Sequence, residues 1–124
     1  MANYFSEAEQ SCHCGCGLNR AAENPDFMAA LNTARELYGR PIRVTSMTRC
    51  KAHNRAIGGA SNSTHLQGRA VDIACNDPAD RAALHDALWK AGFRRFEFSA
   101  VHVHADMRPG ARPVILLKTE RGIV

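Results

Sequence analysis

The stretch STHLQGRAVDI, Ser63 to Ile73, decides how this chain is to be read. Its second half, Ala-Val-Asp-Ile, has strand-forming character, so a strand is expected over Ala70 to Ala74. His65 and Asp72 are separated by an odd number of residues, which would put them on opposite faces of one continuous strand. On a helix the pair would share a face, but the β-rich sequence argues against a helix. The two side chains converge only if the chain turns between them, and Gly68 is the residue that permits the turn. Taken singly, His65 also reads as an ordinary loop histidine and Asp72 as a solvated strand end.

A second stretch, VHVHADMRP from Val101 to Pro109, supplies what the first lacks. On a strand, side chains alternate faces, so His102, His104 and Asp106 point one way and Val101, Val103 and Ala105 the other, toward a core. By itself this is also the pattern of a half-buried strand with a wet face. Combined with His65 and Asp72, however, His104 completes a set of two imidazoles and one carboxylate. That set, with one position left open, is the composition of a catalytic rather than a structural zinc site.

The rest of the chain frames these two stretches. Asn24-Pro25-Asp26 predicts a helix start, with Phe27, Leu31, Ala34 and Leu37 or Tyr38 at helical spacing and Gly39 as its stop. A short strand is expected in PIRVTSMTR through Ile42 and Val44, then a helical turn or loop from Asn54 to Gly59. Asp77-Pro78 caps a second helix whose buried side is expected to include Ala82, Leu84, Leu88 and Trp89, ending at Gly92. Phe96 to Met107 and Val114 to Lys118 complete the strands. This order predicts an α+β fold, a small antiparallel-rich sheet with flanking helices, over a single domain spanning 1–124.

Composition narrows the function classes. Hydrophobic residues make up 45% of the 124, the level of a globular protein. The net charge of +4 suits an anionic polymer, but without dense Lys/Arg runs and with 6% aromatics it gives no case for nucleic acid. MANYFSEAEQ has no apolar core of a signal peptide, and no run approaches the roughly 18 apolar residues of a membrane span. Synthesis in the cytoplasm, without membrane insertion, is the expectation. Five cysteines leave an open question. Cys12, Cys14 and Cys16 lie in SCHCGCG around His13, while Cys50 and Cys75 stand apart. Reduced thiols, a disulfide from this loop to Cys50, and a second metal are all readings, although Cys-X-Cys fits metal geometry less well than Cys-X-X-Cys.

The motifs carry a resemblance. Ser63 to Asp72 resembles the Ser-X-His-X-X-Gly-X-Ala-X-Asp motif of the zinc D-Ala-D-Ala carboxypeptidase family, which is grouped with lysostaphin-type peptidases and the hedgehog domain. His102-Val103-His104 is similar to that family's His-X-His. Tyr4-Phe5-Ser6, Arg43-Val44-Thr45-Ser46, Arg49-Cys50, His53-Asn54-Arg55 and Gly58-Gly59 extend the likeness to the short peptidases of bacteriophages and prophages. The resemblance implies a hedgehog-like fold, one zinc per chain held by His65, Asp72 and His104, and peptidoglycan peptides as the substrate of a monomer. It implies that His102 is the general base or oxyanion donor, and it assigns Arg49 and Ser63 to substrate. The family's usual Ser-Gly-Tyr-Arg is here Ser46-Met47-Thr48-Arg49, and the glutamate that one branch places three residues before the last ligand is Val101. A surface salt bridge is the plain alternative for Arg49. Asp106 is expected either to orient a ligand histidine from behind or to be a solvated strand end. The activity implied is hydrolysis of wall peptides, as carboxypeptidase or endopeptidase, on a protein released or exported by another factor. The alternative is a binding module that keeps the zinc without turnover.

Overall fold

The structure is a computed structural model and describes residues 3–110, 112–119 and 122–123. Met1, Ala2, Ala111, Glu120, Arg121 and Val124, which the expected 1–124 domain includes, lie outside the described residues. Four helices are described: α1 (Glu7–Gln10), α2 (Pro25–Tyr38), α3 (Lys51–Ala56) and α4 (Pro78–Ala91). The strands are β1 (Val44–Ser46), β2 (Ala70–Ala74), β3 (Arg95–Phe98), β4 (His102–Asp106), β5 (Val114–Thr119) and β6 (Gly122–Ile123). None of the described helices is long and apolar enough to cross a membrane.

The strands form one sheet in the order β1-β2-β4-β3-β5-β6, antiparallel throughout except for the parallel β3–β5 pair. This is the expected α+β fold with an antiparallel-rich sheet and flanking helices. Strand alternation decides the two faces. Val71 and Ile73 of β2, Phe96 of β3, and Val103 and Ala105 of β4 are buried in one core with Phe27 and Leu31 of α2 and Leu84 and Leu88 of α4. Asp72, Glu97 and His104 sit at the intervening positions and lie side by side in register. One face of the sheet therefore carries the helices, and the other carries polar chemistry.

Several local expectations need correcting. Phe96 to Met107 is not one strand but the β3–β4 hairpin, closed by Ser99 N–H donating to His102 O and His102 N–H donating to Ser99 Oγ, both at 3.1 Å. Val101 falls in that turn and is 50% exposed instead of facing the core. Ile42 precedes β1 yet is buried. On α4 the inward stripe is Leu84, Ala87 and Leu88, at i, i+3 and i+4 spacing, so Ala82 and Trp89 lie outside it. Trp89 instead lies under the Arg94 guanidinium, 4.0 Å from its ring centroid. On α2, Leu37 is exposed and the partly buried Tyr38 packs against the core. α3 begins before the expected turn, capped by Cys50. α1 has too few residues for an apolar period. Ser6 and Glu9 cap it reciprocally, Glu9 N–H donating to Ser6 Oγ at 3.1 Å and Ser6 N–H to Glu9 Oε1 at 2.9 Å.

Candidate metal centre

The turn at Gly68 is where the sequence and the site meet. Thr64–Gln67 forms a single 3-10 turn, and Gly68 closes it with φ +71° before β2 departs. A Cβ at this position would lie 2.3 Å from the Arg20 carbonyl carbon, so glycine is required both by conformation and by space. The reversal brings His65, on the turn, back against Asp72, on the strand. His104 arrives from β4, directly paired with Asp72 in the sheet.

The hydrogen bonds assign the ring nitrogens. His65 is 2% exposed, and its Nδ1 lies 2.6 Å from the Met47 carbonyl, an acceptor, so Nδ1 carries the proton. Nε2 then presents a lone pair, buried and without a hydrogen-bond partner, 3.2 Å from Asp72 Oδ2. Two acceptors facing each other away from water are unfavourable unless a proton or a metal ion lies between them. His104 has its Nδ1 2.8 Å from Asp72 Oδ1 and its Nε2 2.8 Å from Asp106 Oδ2. Ligand atoms of His65, Asp72 and His104 all lie within 4.8 Å of one another. The set fits zinc, which Nε2 of His65, the Asp72 carboxylate and Nδ1 of His104 would hold with one position open.

The electrostatics agree with a site built around charge. Burial opposes ionisation of Asp72, but the hydrogen bond from His104 and the charge of that ring hold the carboxyl well below the usual range. Burial likewise disfavours the charged form of His104, while hydrogen bonds to Asp106 and Asp72 push its pKa up to about 9. Asp106 is itself 2% exposed. Against the cost of that burial, the His104 hydrogen bond and charge, and then Arg95, hold it low. Asp106 thus lies behind His104, buried and engaged, and is no solvated strand end.

A cleft of about 530 Å³ opens over this group, lined among others by Arg49, Ser63, Glu97, His102 and Arg108. His102 shares the strand face of His104 and has its side chain on the cleft wall. Arg49 does reach the site, but its three nitrogens are engaged: Nε with Ser46 Oγ at 3.2 Å, one terminal nitrogen with Asn54 Oδ1 at 3.3 Å and the other with Asp72 Oδ2 at 3.0 Å. It is a half-buried partner of a candidate ligand, so the surface salt bridge does not describe it. Ser63 Oγ accepts from His65 N–H at 3.3 Å and so caps the turn that carries the ligand.

Two cleft arginines were not anticipated. Arg108 donates to Asn62 O at 3.2 Å and to Thr64 Oγ1 at 3.1 Å, and Arg95 places Nε 3.2 Å from Asp106 Oδ1. The signal for Arg108 was present, since it continues the alternation of His102, His104 and Asp106. Arg95 and Glu97 belong to β3, whose pairing with β4 no local pattern declares. Glu97 Oε2 stands 3.6 Å from His104 Nε2. His85 packs on Phe96, ring centroids 4.5 Å apart, as a helix-packing histidine.

The sequence model of the family described as Peptidase M15 matches residues 3–106. That span takes in the cysteine loop, all three candidate ligands and Asp106, and leaves Arg108 and β5 beyond its end. No curated protein matches the chain.

Proposed function

The chain belongs to the peptidase M15 family, that of the zinc D-Ala-D-Ala carboxypeptidases, and from that premise we propose that it is a zinc-dependent peptidase cutting peptide bonds in the stem peptides of bacterial peptidoglycan. The observation that carries this reading is the orphaned, buried Nε2 of His65 facing Asp72 and His104 at an open cleft. Bound zinc would supply Lewis acidity there, polarising an amide carbonyl and lowering the pKa of water towards about 7.

The chain's own residues supply the rest. Asp106 accepts the proton on Nε2 of His104 and so keeps Nδ1 turned toward the metal position. His102, on the cleft wall, takes the proton of the attacking water and returns it to the leaving amine. Asp106 is too deeply buried to serve as base in its place; Glu97, which lines the cleft, is the alternative. Arg49 holds Asp72, and Arg108 and Arg95 are the arginines placed to meet a substrate carboxylate. Stem peptides carry such carboxylates, which suits this cationic wall. The protein works as a monomer.

Digestion of purified peptidoglycan, with products weighed by mass spectrometry, tests the reading and identifies the bond. Zinc-loaded protein is expected to release peptide fragments, and chelator-treated protein none. Binding of stem peptides with no cleavage would assign the fold to a non-catalytic binding module instead.

A further inference from the structure

The second concentration of metal-binding side chains lies beside α1. Cys12, Cys14 and Cys16 alternate along the chain, and on an extended strand their sulfurs would be about 7 Å apart, too far to share one ion. The chain is curled instead. Gly15 and Gly17 adopt φ +87° and +84°, and Cys12 N–H donates to Leu18 O at 2.8 Å, closing the loop. Cys50, at the start of α3, comes to the same place from a distant part of the chain. The four sulfurs all lie within 4.8 Å of one another, with Cys12–Cys14 at 3.4 Å and Cys14–Cys50 at 3.7 Å. A tetrahedral zinc with bonds of about 2.3 Å holds its sulfurs roughly 3.8 Å apart. No pair among the four is joined as a disulfide.

Backbone amides already point at the sulfurs. Cys50 N–H donates to Cys12 Sγ at 3.4 Å, and His53 N–H to Cys50 Sγ at 3.3 Å. Such donors stabilise thiolates around a metal. We propose that Cys12, Cys14, Cys16 and Cys50 form a tetrahedral structural zinc site, separate from the His65–Asp72–His104 centre. Binding replaces four thiol protons with one Zn²⁺, and four thiolates leave no position for substrate or water. An all-sulfur set selects zinc over calcium or magnesium. An iron–sulfur cluster, with its inorganic core between the cysteines, needs them further apart.

The position gives the site a purpose. Cys50 follows Arg49, whose backbone N–H donates to His65 O at 3.1 Å and whose guanidinium holds Asp72. Thr48 N–H donates to Gln10 O at 3.1 Å, on α1. The second zinc therefore ties the N-terminal loop to the segment supporting two of the three candidate catalytic ligands.

Metal analysis of the full chain, purified under non-chelating reductant, is expected to find two zincs per chain. Cobalt substitution is expected to give thiolate-to-metal charge-transfer absorption, which a two-histidine, one-carboxylate centre cannot produce. Joint Cys14→Ser and Cys16→Ser substitution, at two exposed positions, should remove that band and one metal. His104→Ala should remove the other metal and keep the band. Zinc should also protect four of the five cysteines of the wild type from alkylation, a readout that needs no variant to fold. One zinc without a charge-transfer band overturns the proposal, as does a band that survives the double substitution. Simultaneous alkylation of all five cysteines in zinc-replete wild type, or a disulfide among the four in that protein, overturns it equally.

Discussion

The two nitrogens of His104 are hydrogen-bonded to two carboxylates, and only one of these belongs to the candidate ligand set. Asp106→Asn keeps the side chain's shape but weakens the hold on Nε2–H. Zinc affinity, by chelator competition, should fall about 10- to 100-fold at an unchanged circular dichroism spectrum; unchanged affinity would reduce Asp106 to a structural strand residue. His102→Ala is expected to keep fold and zinc and to slow turnover by about 100-fold or more, with little change in the Michaelis constant. A wild-type rate in that variant would move the base to Glu97, tested next as Glu97→Gln. At this scale the sequence was most legible on β4, because a period of two assigns His102, His104 and Asp106 to one face whatever packs around them. Arg49's pairing with Asp72 was not legible, since the partners come from different elements.

Among the elements, the turn–strand unit of Thr64 to Ala74 carries the most consequence. Gly68→Ala adds a Cβ where the Arg20 carbonyl carbon already sits and forces alanine into the left-handed region. The expected cost exceeds about 1 kcal/mol, read by urea unfolding. Zinc affinity should fall with it, because the same turn positions His65; full stability would mean the loop can move aside cheaply. The helices α2 and α4 were readable from proline at their first turn and glycine after their last. The β3–β4 hairpin was not. Its turn, Ser99-Ala100-Val101, lacks glycine, proline and asparagine and is closed by a serine hydroxyl instead.

For the molecule as a whole, the candidate metal centre couples folding to pH and to zinc. With metal stripped, His104 has its pKa raised from 6.5 to about 9, so its contribution to stability is complete below pH 6.5 and disappears as pH rises through 9. Asp72 is depressed, so its contribution is present above its unfolded value near 3.8 and is lost in acid. Melting temperatures of the chelator-treated protein should therefore be highest between about pH 4 and 6.5 and decline toward 9. A flat profile across the alkaline range would show that His104 does not hold its proton between the two carboxylates. Added zinc should raise the melting temperature most at the alkaline end, where no proton competes for Nδ1. The gain should be on the order of 2.7 kcal/mol at a free concentration 100 times the dissociation constant.

By itself the sequence determined the fold class, the ends of α2 and α4, the polar face of β4 and the turn that lets His65 meet Asp72. Each follows from rules that act over a few residues: strand alternation, helix caps, and the turn that only Gly68 allows. The arrival of His104 beside His65 and Asp72 depends on the β2–β4 pairing. The tertiary structure alone decided which nitrogen of His65 is left for a metal, because Met47 O lies 18 residues away in sequence. It also decided that Glu97 and Arg95 stand beside His104 and Asp106, and that Cys50 closes a ring of sulfurs begun at Cys12. Those relations depend on strand order and packing between distant segments, which periodicity within one segment cannot encode.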